Sequence, residues 1–160
     1  MSRTKPVGFG AGAKFWAYDA ALAILLAQVI DNVAALPTTQ RPSWWSQYEE
    51  ELRIQATVSD LYFDLAACPD REEFAVLLEQ ASGQLLNREA VTAEEAAAWT
   101  VLGDSAVIFR GPLETAPVAE LGRALVGLLR GGLAEAPGGS WWFYGAPGGR
   151  STIARRVSGD

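Results

Sequence analysis

Cys68-Pro69-Asp70-Arg71 sets a thiol three residues before a guanidinium, just ahead of a helix whose positive end favours a thiolate. A phosphate-transferring thiolate needs a longer Cys-to-Arg gap and a loop of backbone donors, and neither is present. Cys68 is therefore expected as a small buried residue against a turn. Carboxylates pair at Asp60/Asp64, Glu72/Glu73 and Glu94/Glu95. A glycosidase-like pair must face across a cleft, whereas Asp60 and Asp64 at helical spacing share one solvated face. Gly8, Gly10 and Gly12 before Lys14 have the composition of a phosphate-cradling loop. No strand is predicted ahead of them and no Ser or Thr follows Lys14, so the P-loop pattern fails.

What is missing narrows the chemistry further. The chain of 160 residues has no histidine and one cysteine. Ser-His-Asp and Cys-His nucleophile pairs cannot form within it, and Cys/His zinc sites are excluded. No oxygen-ligand spacing resembles an EF-hand, and no metal or cofactor is expected. A single thiol points to a reducing compartment, hence a cytoplasmic setting. Charge is uneven within a net −6: residues 1–14 hold three cations and no acid, residues 15–104 fifteen acids against four arginines, and residues 105–160 six arginines against four acids. The acidic middle argues against nucleic-acid binding. The uncharged run Ala20–Ile30 is too short to span a bilayer, so no membrane partner is expected.

The elements that place these residues follow from periodicity and caps. Residues 1–14 read as a flexible N-terminal arm and 15–160 as one globular domain. Residues 15–35 form a largely buried helix ending before Pro37. Ser46 and Glu49 form a capping box, with Ile54, Val58, Leu61 and Leu65 on one helical face. The alternation over residues 52–59 also fits a strand; the capping box and the later spacing favour helix. Asp70/Glu73 and Thr92/Glu95 start two more helices, over residues 70–86 and 92–99. SAVIFR at 105–110 reads as a strand, 115–131 as a helix ended by Gly131–Gly132, and Ser140–Gly145 with Arg150–Val157 as a hairpin. APGG occurs at 136–139 and 146–149, with Pro and the next Gly suited to the central positions of a type II turn. The expected fold is α+β: a mostly helical N-terminal two-thirds packed on a small mixed three-stranded sheet, a βαβ unit plus the C-terminal hairpin.

Aromatic residues carry the functional expectation. Four of the six tryptophans lie in two adjacent pairs, Trp44–Trp45 and Trp141–Trp142, the latter continuing into Phe143–Tyr144. On a strand Trp142 and Tyr144 share one face and Trp141 and Phe143 the other, so both pairs cannot enter one core. Trp, Tyr and Arg dominate binding hot spots. The expected site is Trp142, Tyr144, Arg110, Arg155, Trp44 and Trp45, with no catalytic residue. The expected function is non-catalytic binding of another protein, a second copy of the chain included, in an inhibitor, immunity or adaptor role. The alternative is a small-molecule site or modest enzyme using Arg and carboxylate groups between sheet and helices.

Overall fold

Strand pairing begins where the sequence suggests a free arm. The computed structural model describes residues 4–103, 109 and 111–154. Within them β1 (Thr4–Gly8) and β2 (Lys14–Tyr18) pair antiparallel, Thr4 opposite Tyr18 and Gly8 opposite Lys14. The hairpin tip is pinned from a distance: Asp64 Oδ1 accepts from the Gly10 N–H at 2.8 Å, and the Tyr62 hydroxyl donates to the Gly10 carbonyl at 3.0 Å. Gly10 sits at φ +59°, so the glycine run makes a turn. From Thr4 onward, then, the expected arm is part of the sheet.

The chain continues through α1 (Asp19–Ala34), α2 (Trp45–Thr57), β3 (Phe63–Asp64), α3 (Arg71–Leu85), β4 (Ala90–Val91), α4 (Ala93–Ala98), β5 (Leu113–Glu114), α5 (Thr115–Arg130), β6 (Ser140–Tyr144) and β7 (Ser151–Ala154). The fold is α+β, and its main sheet has five strands in the order β3-β1-β2-β6-β7, while β4 and β5 form a separate pair. The pairs β1–β3 and β2–β6 are parallel; β1–β2 and β6–β7 are antiparallel. The parallel neighbour of β6 is thus β2, not the expected strand at 105–110. Of that segment only Phe109 is among the described residues, and the strand just before α5 pairs with β4.

Twelve of the sixteen residues of α1 are buried, as expected of a central helix, but it starts at Asp19. Residues 15–18 belong to β2, where burial alternates with period two: Phe15 and Ala17 in, Trp16 and Tyr18 half-buried. Residues 52–57 are helical, yet α2 stops short of the expected face. Val58 and Leu61 are exposed, and Asp60 takes a left-handed φ of +65°. The buried Lys5 ammonium ends this helix by donating to the carbonyls of Gln55 at 2.7 Å and Val58 at 2.8 Å. The Ser46–Glu49 capping box is not used. The Trp45 N–H donates to the Pro42 carbonyl, and Glu49 pairs with Arg53 at 2.8 Å.

Three later helices have the expected ends. Asp70 accepts from the Glu73 N–H and Thr92 from the Glu95 N–H, each a side-chain N-cap, while Gly131 at φ +72° closes α5. α3 and α5 lie closely together, where a Cβ on Gly122 would collide with Ser82 Oγ. Moving Ser82 from its rotamer is expected to cost Gly122→Ala about 1 kcal/mol, which roughly offsets what alanine gains over glycine inside a helix. In a Ser82→Ala background most of that cost should vanish, which urea unfolding of the double-mutant cycle will show. The second APGG makes the expected turn, with Gly148 at φ +88° and Gly149 N–H donating to Ala146 O. The first is shifted by one residue: Ser140 N–H donates to Pro137 O, and Gly139 takes the positive φ of +79°.

Candidate functional site

The sheet has an inner and an outer face, and strand register assigns each aromatic residue to one of them. Lys5, Val7, Phe15, Ala17 and Tyr144 are buried against the helices. Pro6 pairs with Trp16, Trp16 with Phe143 and Trp141 with Ile153, so these residues line the opposite, outer face. All five are half-buried, in contrast to the sealed inner row. The Trp16 and Trp141 rings meet with centroids 5.5 Å apart. The Trp16 indole N–H is buried and has no protein acceptor, so any partner it has must come from outside the described chain.

The expected binding residues are distributed differently from the sequence reading. Tyr144 is only 5% exposed and sets its ring edge-on to Phe15 at 5.1 Å. Burial raises its hydroxyl pKa, opposed by a hydrogen bond from Arg150. Trp142, on the same inner side, donates from Nε1 to the Ala134 carbonyl at 2.9 Å and lies under the Arg150 guanidinium at 3.9 Å. Trp44 and Trp45 are core residues beside Tyr48 and Phe74, and the Trp44 indole N–H donates to Glu73. The Trp44 ring contacts are with Trp45, Tyr48 and Phe74, and none is with a ring of β6. Arg110 and Arg155 lie outside the described residues. Trp16, hidden in the sequence inside an apolar run read as helix, is the aromatic residue that reasoning missed. Its alternation with buried Phe15 and Ala17 was the available signal.

The other chemical candidates take structural roles. Burial pushes the Cys68 thiol up to about 11, so it stays protonated at neutral pH, and its Sγ contacts the Asp70 carbonyl at 3.5 Å. Arg71 stacks on Phe9 at 4.9 Å. Asp60 and Asp64 do not share a helix: Asp64 lies on β3 and accepts from the N–H groups of Gly10 and Ala66. Glu72 pairs with Arg130 and Glu95 with Arg88. No three metal-ligating side chains come together among the described residues.

One cavity between α5 and the β6–β7 hairpin does gather charge. It holds about 270 Å³ and is bordered by Glu120, Arg123, Tyr144 and Arg150. Glu120 Oε1 is buried there without a hydrogen-bond partner. Two guanidinium groups and a carboxylate around one space can bind a small molecule carrying both an acid and a donor. Compared with protein-family models, curated proteins and solved structures, the chain matches none. No described helix is long and apolar enough to cross a membrane.

Proposed function

We propose that this chain is a non-catalytic protein-binding domain, of inhibitor, immunity or adaptor type, that docks through the outer face of its sheet inside the cell. The observation that carries this reading is the row Trp16–Trp141–Phe143, half-buried on the side of the sheet opposite its helices. Clustered tryptophans and phenylalanine of this kind supply large contact area at low entropic cost. The choice of face replaces Trp142 and Tyr144 with Trp141 and Phe143 as the docking pair. The test is co-purification from the native host, comparing the tagged chain with a Trp141→Ser/Phe143→Ser variant. A stoichiometric partner should remain on the wild type and bind the variant about 100-fold more weakly, with the variant still folded at a Tm lowered only by the loss of the Trp16–Trp141 contact. Equal retention, or no partner on an intact fold, refutes the reading. Tyr144→Ala, by contrast, should lower Tm, since its ring belongs to the core.

The Glu120–Arg123–Arg150 cavity favours a second reading, a site for a small zwitterion such as an amino acid. The orphaned Glu120 oxygen would accept from an ammonium group, while the arginines held a carboxylate. Under this reading an amino-acid panel raises Tm of the wild type and leaves Glu120→Gln unmoved. A panel without a shift removes it.

A further inference from the structure

We infer that the partner of this domain enters as an extended, acidic segment that adds a strand to the outer edge of β7; the inference rests on the sheet being the docking side. β7 ends the strand order, and among the described residues nothing pairs with its second edge. Three of its four residues are exposed. Edge strands are usually blunted by proline, an internal charge or a bulge, and Ser151-Thr152-Ile153-Ala154 has neither proline nor charge. All four residues of β7 keep register with β6, from Phe143↔Ser151 to Ser140↔Ala154. The edge is also held in advance, by the Pro147–Gly148 turn and by Arg150 stacked on Trp142. A pre-ordered edge accepts a strand at reduced entropic cost, with main-chain hydrogen bonds giving affinity and alternate side chains giving selectivity.

Charge names the partner's chemistry. From Ala136 to Gly159 the sequence holds Arg150, Arg155 and Arg156 and no acid, and up to Tyr18 it holds Arg3, Lys5 and Lys14 and no acid. Lys5 is buried, so the cations that flank β7 in the sequence, Arg150, Arg155 and Arg156, carry the argument: with no acid in that stretch they attract carboxylates and repel a basic chain. In the added strand, one side-chain row falls beside Ile153 and so continues the apolar outer face from Trp141. The segment that fits alternates apolar residues on that side with acids. A second copy of this chain fits poorly, because the stretch that carries β7 holds cations and no acid and would meet the same charges on its copy.

The probe is a random-peptide display library panned on the folded chain, followed by synthesis of the enriched peptides. Net-acidic peptides should emerge, weakening by about 10-fold or more between low and high salt. N-methylation at alternate positions along one edge of the peptide should abolish binding, because only strand addition needs those N–H groups. Enrichment of neutral or basic peptides, tolerance of N-methylation on both edges, no enrichment at all, or stronger binding of an oligouridylate overturns the inference. On the protein side, Thr152→Pro and Ile153→Pro remove N–H groups that point to opposite edges. One should lower Tm by losing a bond to β6; the other should keep Tm and lose the peptide. If both proline variants keep the native partner while Trp141→Ser/Phe143→Ser loses it, the sheet face stands as the dock and only the edge assignment fails.

Discussion

Gly145→Ala is expected to lower stability by about 3 kcal/mol and Tm by roughly 6–12 °C. Gly145 follows β6 at φ +91°, a conformation that L side chains rarely adopt. A Cβ there would stand 2.8 Å from Ala21 Cβ in α1 and 3.3 Å from Leu121 Cδ2 in α5. Ala21 Cβ cannot rotate away, so the strand must lift from α1, and Leu121, fully buried, must also shift its terminal methyl. The lift would also disturb Tyr144, the adjacent core residue. Thermal unfolding followed by circular dichroism measures the loss. A change under about 1 kcal/mol would mean that β6 is not anchored to the helices as described.

Lys5→Ala is the second, with an expected loss of about 3 kcal/mol at pH 7. The substitution leaves the Gln55 and Val58 carbonyls without their donor and removes a buried positive charge that interacts with Asp19, itself 6% exposed. Lys5 also imposes a pH dependence. Burial lowers its ammonium from 10.5 to about 8, with Asp19, Glu51 and Asp60 pulling the other way. Between those values the unfolded chain holds a proton that the folded chain has released, so stability rises with pH, by at most about 1.4 kcal/mol per unit. Cys68 opposes the trend from pH 9 upward: the unfolded thiol ionises there, while the folded one keeps its proton to about 11. The raised hydroxyls of Tyr18, Tyr62 and Tyr144 act in the same opposing direction above pH 10. Urea midpoints should therefore climb from pH 8 to 9 by about 1 kcal/mol in equivalent stability and then level off. In Lys5→Met the climb should disappear. In Cys68→Ala it should continue toward pH 10.

The same lysine explains what the sequence concealed. β1 alternates Thr-Lys-Pro-Val-Gly, and its inward positions are Lys5 and Val7. A charge on the core face inverts the hydrophobic pattern by which strands are read, and the glycine-rich turn then completes the look of a loose arm. In β2 every residue from Phe15 to Tyr18 is apolar or aromatic, so its period of two merges, with only Asp19 between, into the uncharged run Ala20–Ile30 of α1. The helices α3, α4 and α5 were legible because their signals are local: Asp70, Thr92 and Gly131 act within one turn of their own backbone. The C-terminal hairpin was legible for the same reason, through Pro147–Gly148. At the site, the division of Trp141 and Phe143 from Trp142 and Tyr144 followed from strand geometry alone. Which pair faces the helices did not, since that depends on the pairing of β6 with β2, more than a hundred residues away.

That pairing sets a timetable for biosynthesis. As the chain leaves the ribosome, the β1–β2 hairpin emerges long before β6, and its β2 flank lacks that neighbour until Ser140–Tyr144 has cleared the exit tunnel. Helices α1 to α5 are all translated in the interval. Over that interval the nascent chain carries an unpaired aromatic ribbon, the kind of surface that holding chaperones engage, and the sheet closes only once β6 has emerged.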